Sequence, residues 1–426
     1  MTAQEALERR LGTGDAVVIG LGSMIGAGVF SAWAPAAAAA GAGLLIGLLL
    51  AAGVAYCNAV ASAQLAAVYP TSGGTYVYGR ERLGPTWGFL AGWGFVIGKT
   101  ASCAAMALTF AAYLLPEPVI VQRLLGAAAV IALTAVNYRG ITRTAGLARA
   151  LVGLSLLALA GFVAVVLTAL GAGPASAHQL DPFAGTARSA YGVLQAAGLL
   201  FFAFAGYARI ATLGEEVREP RVTIPRAIPL ALGITVLLYL LVGSAALVAA
   251  GPDALAATPR PLATAVEAAG ASWAIPIVAV GAAVASLGAL LALIAGIGRT
   301  TLAMARTGDL PGWLATVHPR YRVPHHAELA VGAVVLMLVL LTDLRGAIGF
   351  SSFGVLLYYA VANASAFTQS GEDRRWPRAL NVAGFTGCLV LVATLPPPAV
   401  TAGIVMFAIG LAWRYAHARL AGRGTA

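Results

Sequence analysis

The sequence predicts an all-α membrane protein of about twelve transmembrane helices, and three observations predict it. First, 60% of the 426 residues are hydrophobic and 10% are charged, against roughly 25% charged in a soluble domain. So few polar residues cannot cover a soluble fold of this length. Second, apolar stretches near the roughly 20 residues that span a bilayer recur from Ala16 to Trp413. Third, the basic residues segregate. With a cytoplasmic N-terminus, twenty arginines, from Arg9 and Arg10 through Arg80, Arg149, Arg218, Arg299 and Arg374 to Arg423, fall on the cytoplasmic side, and four, Arg123, Arg188, Arg260 and Arg345, fall outside. One helix more or fewer would scramble this positive-inside asymmetry.

In chain order the expected spans are 14–39, 43–67, 85–114, 120–137, 146–170, 190–214, 226–250, 273–303, 327–342, 345–367, 379–395 and 398–416. Both termini are then cytoplasmic. The first span follows Arg9–Arg10 as a signal peptide's would, but the apolar run is too long and further spans follow, so it is retained. The connections 171–189, 251–272 and 304–326 are too short to hold a core and are expected as loops. The net charge of +10 serves orientation and anionic headgroups rather than nucleic acid, because the arginines sit in short loops without a basic domain. Cys57, Cys103 and Cys388 lie inside apolar spans as small packing residues, with no metal-ligand spacing. Dense Gly, Ala and Ser let the helices approach closely.

Two spans are built to break. The first has Gly20, Gly22, Gly26 and Gly28 around Ser23–Met24–Ile25, with Pro35 beyond; the sixth has Phe204–Ala205–Gly206–Tyr207 followed by Arg209. Interrupted helices at corresponding places in two halves of a chain point to a transporter's binding site. Unpaired backbone groups are tolerated at membrane depth only where they face a cavity, a ligand or protein. The run Val17 to Gly26 also imitates a dinucleotide fingerprint. Its third glycine comes one residue late, however, and no acid occurs between Asp15 and Glu81 to hold a ribose.

Gly22–Ser23–Met24–Ile25–Gly26–Ala27–Gly28–Val29–Phe30 resembles the first-helix motif of the amino acid–polyamine–organocation transporters. Tyr69–Pro70–Thr71–Ser72–Gly73–Gly74–Thr75–Tyr76 resembles the segment between their second and third helices. Phe201 to Tyr207, with Glu215–Glu216–Val217–Arg218–Glu219–Pro220 and Ile224–Pro225–Arg226, resembles their sixth helix and its loop. Arg299 to Pro311, with His318–Pro319 and Pro324, resembles the loop after their eighth. The resemblance implies two inverted five-helix repeats, 1–170 and 190–367, and two additional helices in 379–416. It implies secondary transport of amino acids by alternating access, with proton coupling or exchange, or else of polyamines and other organic cations. Ser23, Met24, Ile25, Gly26, Ala27 and Gly28 would face the substrate carboxylate, where a helix N-terminus suits an anion. Phe202, Ala203, Phe204, Ala205 and Gly206 would face the amine.

Two positions depart from the family. The acid that many members carry after the sixth-helix break is replaced by Ala208 and Arg209. The helix-5 lysine of proton-coupled members is Ser155, counted from Gly140. Lys99, in the third span, is the one lysine of the chain. Intramembrane charges are usually functional, and lysine, unlike arginine, can release its proton when desolvated. Lys99 is therefore a coupling candidate; its structural alternative is a pin on backbone carbonyls. Arg209 is expected as a gating or structural partner for Glu215 or Glu216, or alternatively as added positive charge beside the site. Sodium near Ser155 and Ser286 is the coupling alternative to the proton.

A membrane-embedded enzyme for lipid-linked substrates would need a deep carboxylate pair, a nucleophile or a metal cluster. The acids lie at span ends, and His178, His318, His325, His326 and His417 lie in loops or at a span end. A channel would need a polar stripe. No catalytic group, metal or cofactor is expected. The expected partners are the bilayer and a small-molecule substrate, an amino acid, with proton or sodium coupling, and the Ala, Gly and Arg bias with short loops points to a bacterial cytoplasmic membrane.

Overall fold

The computed structural model describes residues 11–70, 73–140, 145–170, 189–211 and 216–423. Thr71–Ser72 of the second motif, residues 171–188 with His178, Glu215, and the side chain of His417 lie outside the described residues. The described parts of the apolar segments above are helical, with interruptions in the first and sixth. The elements are α1 (Thr13–Met24), α2 (Ala27–Ser31), α3 (Trp33–Ala40), α4 (Leu44–Val68), α5 (Thr75–Leu83), α6 (Pro85–Leu114), α7 (Val119–Tyr138), α8 (Ala145–Leu170), α9 (Ala190–Phe204), α10 (Ala208–Ala211), α11 (Pro220–Ala256), α12 (Pro261–Ala268), α13 (Ile275–Arg306), α14 (His325–Leu341), α15 (Leu344–Phe367), α16 (Arg378–Thr394) and α17 (Pro397–Arg423). Among the described residues nine helices are long and apolar enough to cross a membrane, and Ala190–Phe204, His325–Leu341 and Arg378–Thr394 are shorter apolar helices.

Local chemistry sets the ends. The Asp343 carboxylate accepts from the Gly346 N–H at 3.0 Å and starts α15, and Ser189 caps α9 through Gly192 N–H. Both satisfy amides that a helix leaves open. Pro85 occupies the first turn of α6, directly after Gly84 at φ 103°. The expected loop 251–272 is instead largely helical. Gly251, at φ 75°, bends α11, Pro252 resumes it to Ala256, and α12 follows. A left-handed glycine followed by proline turns a helix without ending it for long. The segment before α6 likewise folds as α5, where the sequence reading placed only a connection.

Burial ranks the helices. The apolar windows of α6 and α15 are each 83% buried, whereas those of α7, α8 and α17 are 22%, 28% and 17% buried. The first two form the centre and the last three face outward. The centre is made of glycine contacts. A Cβ on Gly354 of α15 would lie 2.6 Å from the Gly94 carbonyl oxygen and 2.9 Å from Gly98 Cα of α6, so only hydrogen fits between these backbones. Ser102 and Ser351 join the same pair through their hydroxyls at 2.6 Å.

The charged groups tie the ends of the bundle. Asp309 accepts from Tyr76 at 2.8 Å and pairs with Arg80 at 3.3 Å and with Arg414. Arg149 pairs with Asp15 at 2.6 Å, linking α8 to α1. The extended residue before α1 pairs with the segment before α11: Leu11 N–H donates to Glu216 at 3.0 Å and Arg218 N–H donates to Leu11 at 2.8 Å.

Candidate functional site

The first span breaks between Met24 and Ala27. Ile25, at ψ 72°, and Gly26, at ψ −148°, leave the helical range. Helix resumes at Ala27 and passes through Ala32 into α3. The sixth span breaks at Ala205–Gly206–Tyr207, between α9 and α10. Both interruptions fall inside the runs that the sequence singled out.

The tertiary structure brings the two breaks into contact. A Cβ on Gly206 would stand 2.2 Å from the Ser23 carbonyl oxygen and 2.5 Å from the Met24 nitrogen. A Cβ on Gly28 would stand 2.7 Å from Ala203 Cα. Gly26 has more room, with Ala289 Cβ at 3.1 Å. Met24, Ile25, Gly26, Ala27 and Gly28 are buried, as are Phe202, Ala203, Phe204 and Ala205, and Ser23 and Gly206 are half-buried. The Ser23 hydroxyl donates to Ile19 of its own helix at 2.9 Å. Phe204 packs on Tyr239 with ring centroids 5.1 Å apart.

The carbonyls freed by the breaks are held by side chains from three other helices. Lys99, buried in α6, donates to the Ala205 carbonyl at 3.1 Å, and the Tyr359 hydroxyl of α15 donates to the same oxygen at 3.3 Å. The Tyr239 hydroxyl of α11 lies 2.7 Å from the Met24 carbonyl and 3.0 Å from that of Ala203. The ammonium found at the sixth-helix carbonyl is thus the protein's own. Tyr113 closes the far side, donating to Phe30 at 2.6 Å and accepting from Leu262 N–H at 3.2 Å.

The remaining candidates lie further apart. Arg209, one helical step past the Gly206 break, sits in the field of Glu216 and Arg299. Ser155, buried in α8, donates to Leu151 of its own helix at 2.9 Å. Ser286 is buried in α13 with its hydroxyl unpaired. The buried carboxylates among the described residues are Asp309 and Glu328. The first is held in the Tyr76–Arg80–Arg414 cluster and the second lies in the first turn of α14. Neither serves the breaks.

Sequence reasoning missed Tyr239 and Tyr359. The available signal was a tyrosine deep in an apolar span, because a buried phenol needs a partner for its hydroxyl. Removing the Tyr239 hydroxyl as Tyr239→Phe leaves two break carbonyls without that donor. We expect a loss of about 1–3 kcal/mol, the usual cost of an orphaned buried polar group, read as a lower Tm in detergent, with impaired uptake. An unchanged Tm would show that these carbonyls find other donors.

The fold and the paired breaks define a multi-pass membrane protein whose backbone is opened at one buried point. The family model described as "Amino acid permease" matches residues 11–415, and the chain belongs to that family, as its motifs implied. It is 60% identical over 408 residues to a protein of Mycobacterium tuberculosis (strain ATCC 25618 / H37Rv) named as an uncharacterized transporter, covering 96% of this chain and 91% of the relative. It is 26% identical over 448 residues to the branched-chain amino acid permease BcaP of Bacillus subtilis, covering 98% and 95%. It is 27% identical over 385 residues to the methylthioribose transporter of the same species, covering 85% and 80%.

Proposed function

We propose that this permease carries neutral amino acids across the bacterial cytoplasmic membrane by alternating access, with Lys99 as the group that couples transport to protons. The observation that carries the reading is the contact of the two helix breaks, Gly206 against Ser23–Met24, with the Lys99 ammonium on the Ala205 carbonyl. The amides that open the resumed helix at Ala27–Gly28 suit a carboxylate. The sixth-helix carbonyls suit the substrate ammonium, which would share them with Lys99 and the tyrosine hydroxyls.

Charge argues for neutral side chains. Lys99 is at the breaks, Arg209 follows directly, and the buried carboxylates are elsewhere. A second cation on the substrate would meet the like charge of Lys99, and among the described residues the buried carboxylates, Asp309 and Glu328, lie away from the breaks. The name of one Bacillus subtilis relative, a branched-chain amino acid permease, agrees with that class. The positive-inside asymmetry supports cytoplasmic termini, and the two five-helix repeats implied by the motifs would rock about the breaks.

The test is uptake by the purified protein in liposomes, with a panel of labelled amino acids and with and without a pH gradient. Leucine, isoleucine, valine and alanine should be transported and should compete with one another, whereas arginine, lysine and putrescine should not. Thermal stabilisation by arginine without any by the neutral amino acids would overturn the charge argument.

A further inference from the structure

Beyond the breaks, α4, α15 and α16 carry a column of buried polar side chains that the transport reading does not use. Of the sixteen buried side-chain polar atoms without a partner among the described residues, eight lie along it. It begins at Tyr359, whose hydroxyl reaches the Ala205 carbonyl that Lys99 also holds. The Tyr207 ring lies 4.9 Å from that of Tyr359, centroid to centroid, and its hydroxyl faces the Tyr359 and Asn58 side chains without a well-formed hydrogen bond to either. One turn on, the Asn363 amide donates to the Tyr359 carbonyl at 2.9 Å and to Asn58 Oδ1 of α4 at 2.6 Å. The Cys388 thiol of α16 reaches the same Asn58 oxygen at 3.4 Å.

The column continues to the helix ends. Ser62 lies one turn beyond Asn58, and Asn381 lies one turn before Gly384, where a Cβ would touch Asn363 Oδ1 at 2.5 Å. Gln64 then donates to Gln369 at 2.8 Å and to the Ala366 carbonyl at 3.2 Å, and half-buried Arg374 donates to that carbonyl at 3.2 Å. Arg374 belongs to the short connection between α15 and α16, on the side that the arginine asymmetry assigns to the cytoplasm. From Tyr359 to the end of α15 at Phe367 the chain rises about 12 Å along its helix axis, and Gln369 lies two residues further on. That approaches half of the roughly 30 Å hydrocarbon thickness, the span from a mid-membrane site to the surface.

The unpaired atoms include donors and acceptors. Asn58 Nδ2, Asn381 Nδ2 and Gln369 Nε2 need acceptors, while Asn363 Oδ1, Asn381 Oδ1 and Gln64 Oε1 need donors. A cation would satisfy only the second set. Water satisfies both, and a buried water typically takes two to four such partners. We propose that α4, α15 and α16 enclose a chain of bound waters running from the Ala205–Lys99 contact to the cytoplasmic loop of Arg374. It deepens the coupling reading by giving Lys99 a route for its proton, but the hydration stands independently of that role. The titratable side chains along it are Lys99, Tyr207, Tyr359, Cys388 and its neighbour Cys57 of α4, with Cys103 one turn beyond Lys99 on α6 and Arg374 at the mouth.

Hydroxyl-radical footprinting of the full-length protein in lipid nanodiscs tests it, because radicals formed from bound water modify neighbours that bulk solvent does not reach. Corrected for intrinsic reactivity, Tyr207, Tyr359 and Cys388 should be modified at least tenfold faster than Phe162, equally buried in α8. Asn381→Leu should cut the Cys388 rate by more than half and slow pH-driven uptake severalfold, and Asn381→Ser should restore both in part. Protection of Tyr207 and Cys388 equal to that of Phe162 overturns the water chain, whatever Lys99 does. Fast labelling in a protein whose Lys99→Ala variant keeps its pH dependence would leave the water chain standing and remove the coupling role.

Discussion

Gly206→Ala is expected to abolish transport, although it adds one methyl group. The new Cβ would stand 2.2, 2.3 and 2.5 Å from the Ser23 carbonyl oxygen, the Ser23 carbonyl carbon and the Met24 nitrogen. All three are backbone, so no side chain can rotate away, and the two breaks must separate. Inserting a methylene into a packed core costs about 1–3 kcal/mol when side chains can yield. A loss at the upper end, concentrated at the site, corresponds to uptake lower by about two orders of magnitude. Two controls isolate the cause. Gly53→Ala, which meets open space, should behave as wild type. Gly26→Ala, facing Ala289 Cβ at 3.1 Å, should fold and keep partial activity, whereas Gly26→Leu should insert normally and lose ligand binding. The measurement is initial uptake at matched protein content, with size-exclusion profiles to exclude unfolding. Normal uptake by Gly206→Ala would mean that the breaks do not need to touch.

Lys99→Ala is expected to remove the acceleration of uptake by an inward proton gradient while leaving exchange at equal pH. The Ala205 carbonyl keeps the Tyr359 hydroxyl as donor, so the break should survive loss of the ammonium. Lys99→Arg separates the two readings of this residue. Arginine keeps the charge and can still donate to a carbonyl, but it does not give up its proton in a protein. If Lys99 exchanges a proton, both variants lose gradient dependence. If it is a pin on the Ala205 carbonyl, the arginine variant keeps pH-driven uptake or fails to fold. Gradient dependence retained in well-folded Lys99→Ala would rule out the proton role. Sodium at Ser155 and Ser286 would then be tested, by uptake with sodium replaced by choline.

The site was partly legible because its requirements are local. A helix interruption needs glycines or other breakers within a few residues, and Gly26 with Gly28 and Ala205–Gly206 sit in order inside two apolar spans. Lys99 stood out as the one lysine amid arginines and aliphatics. Tyr239 and Tyr359 could not be singled out, because a tyrosine in an apolar span looks the same whether its hydroxyl meets a carbonyl of its own helix or one from a helix distant in sequence. The bend at Gly251 was hidden for a related reason. Gly–Pro reads as the end of a helix unless the chain after it has a surface on which to continue.

The sequence by itself determined the class of protein. Apolar runs of bilayer length fold as helices because lipid leaves their backbone groups no other partners. It also determined where the first and sixth spans break. Only the tertiary structure decided that the two breaks meet at Gly206 and Ser23, that Lys99 lies on the Ala205 carbonyl rather than on a neighbouring turn, and that asparagines and glutamines from α4, α15 and α16 line up into one column. These are contacts between residues separated by one hundred to three hundred positions. They depend on how helices rotate about their axes when they pack, and helical periodicity within a single span leaves that rotation open.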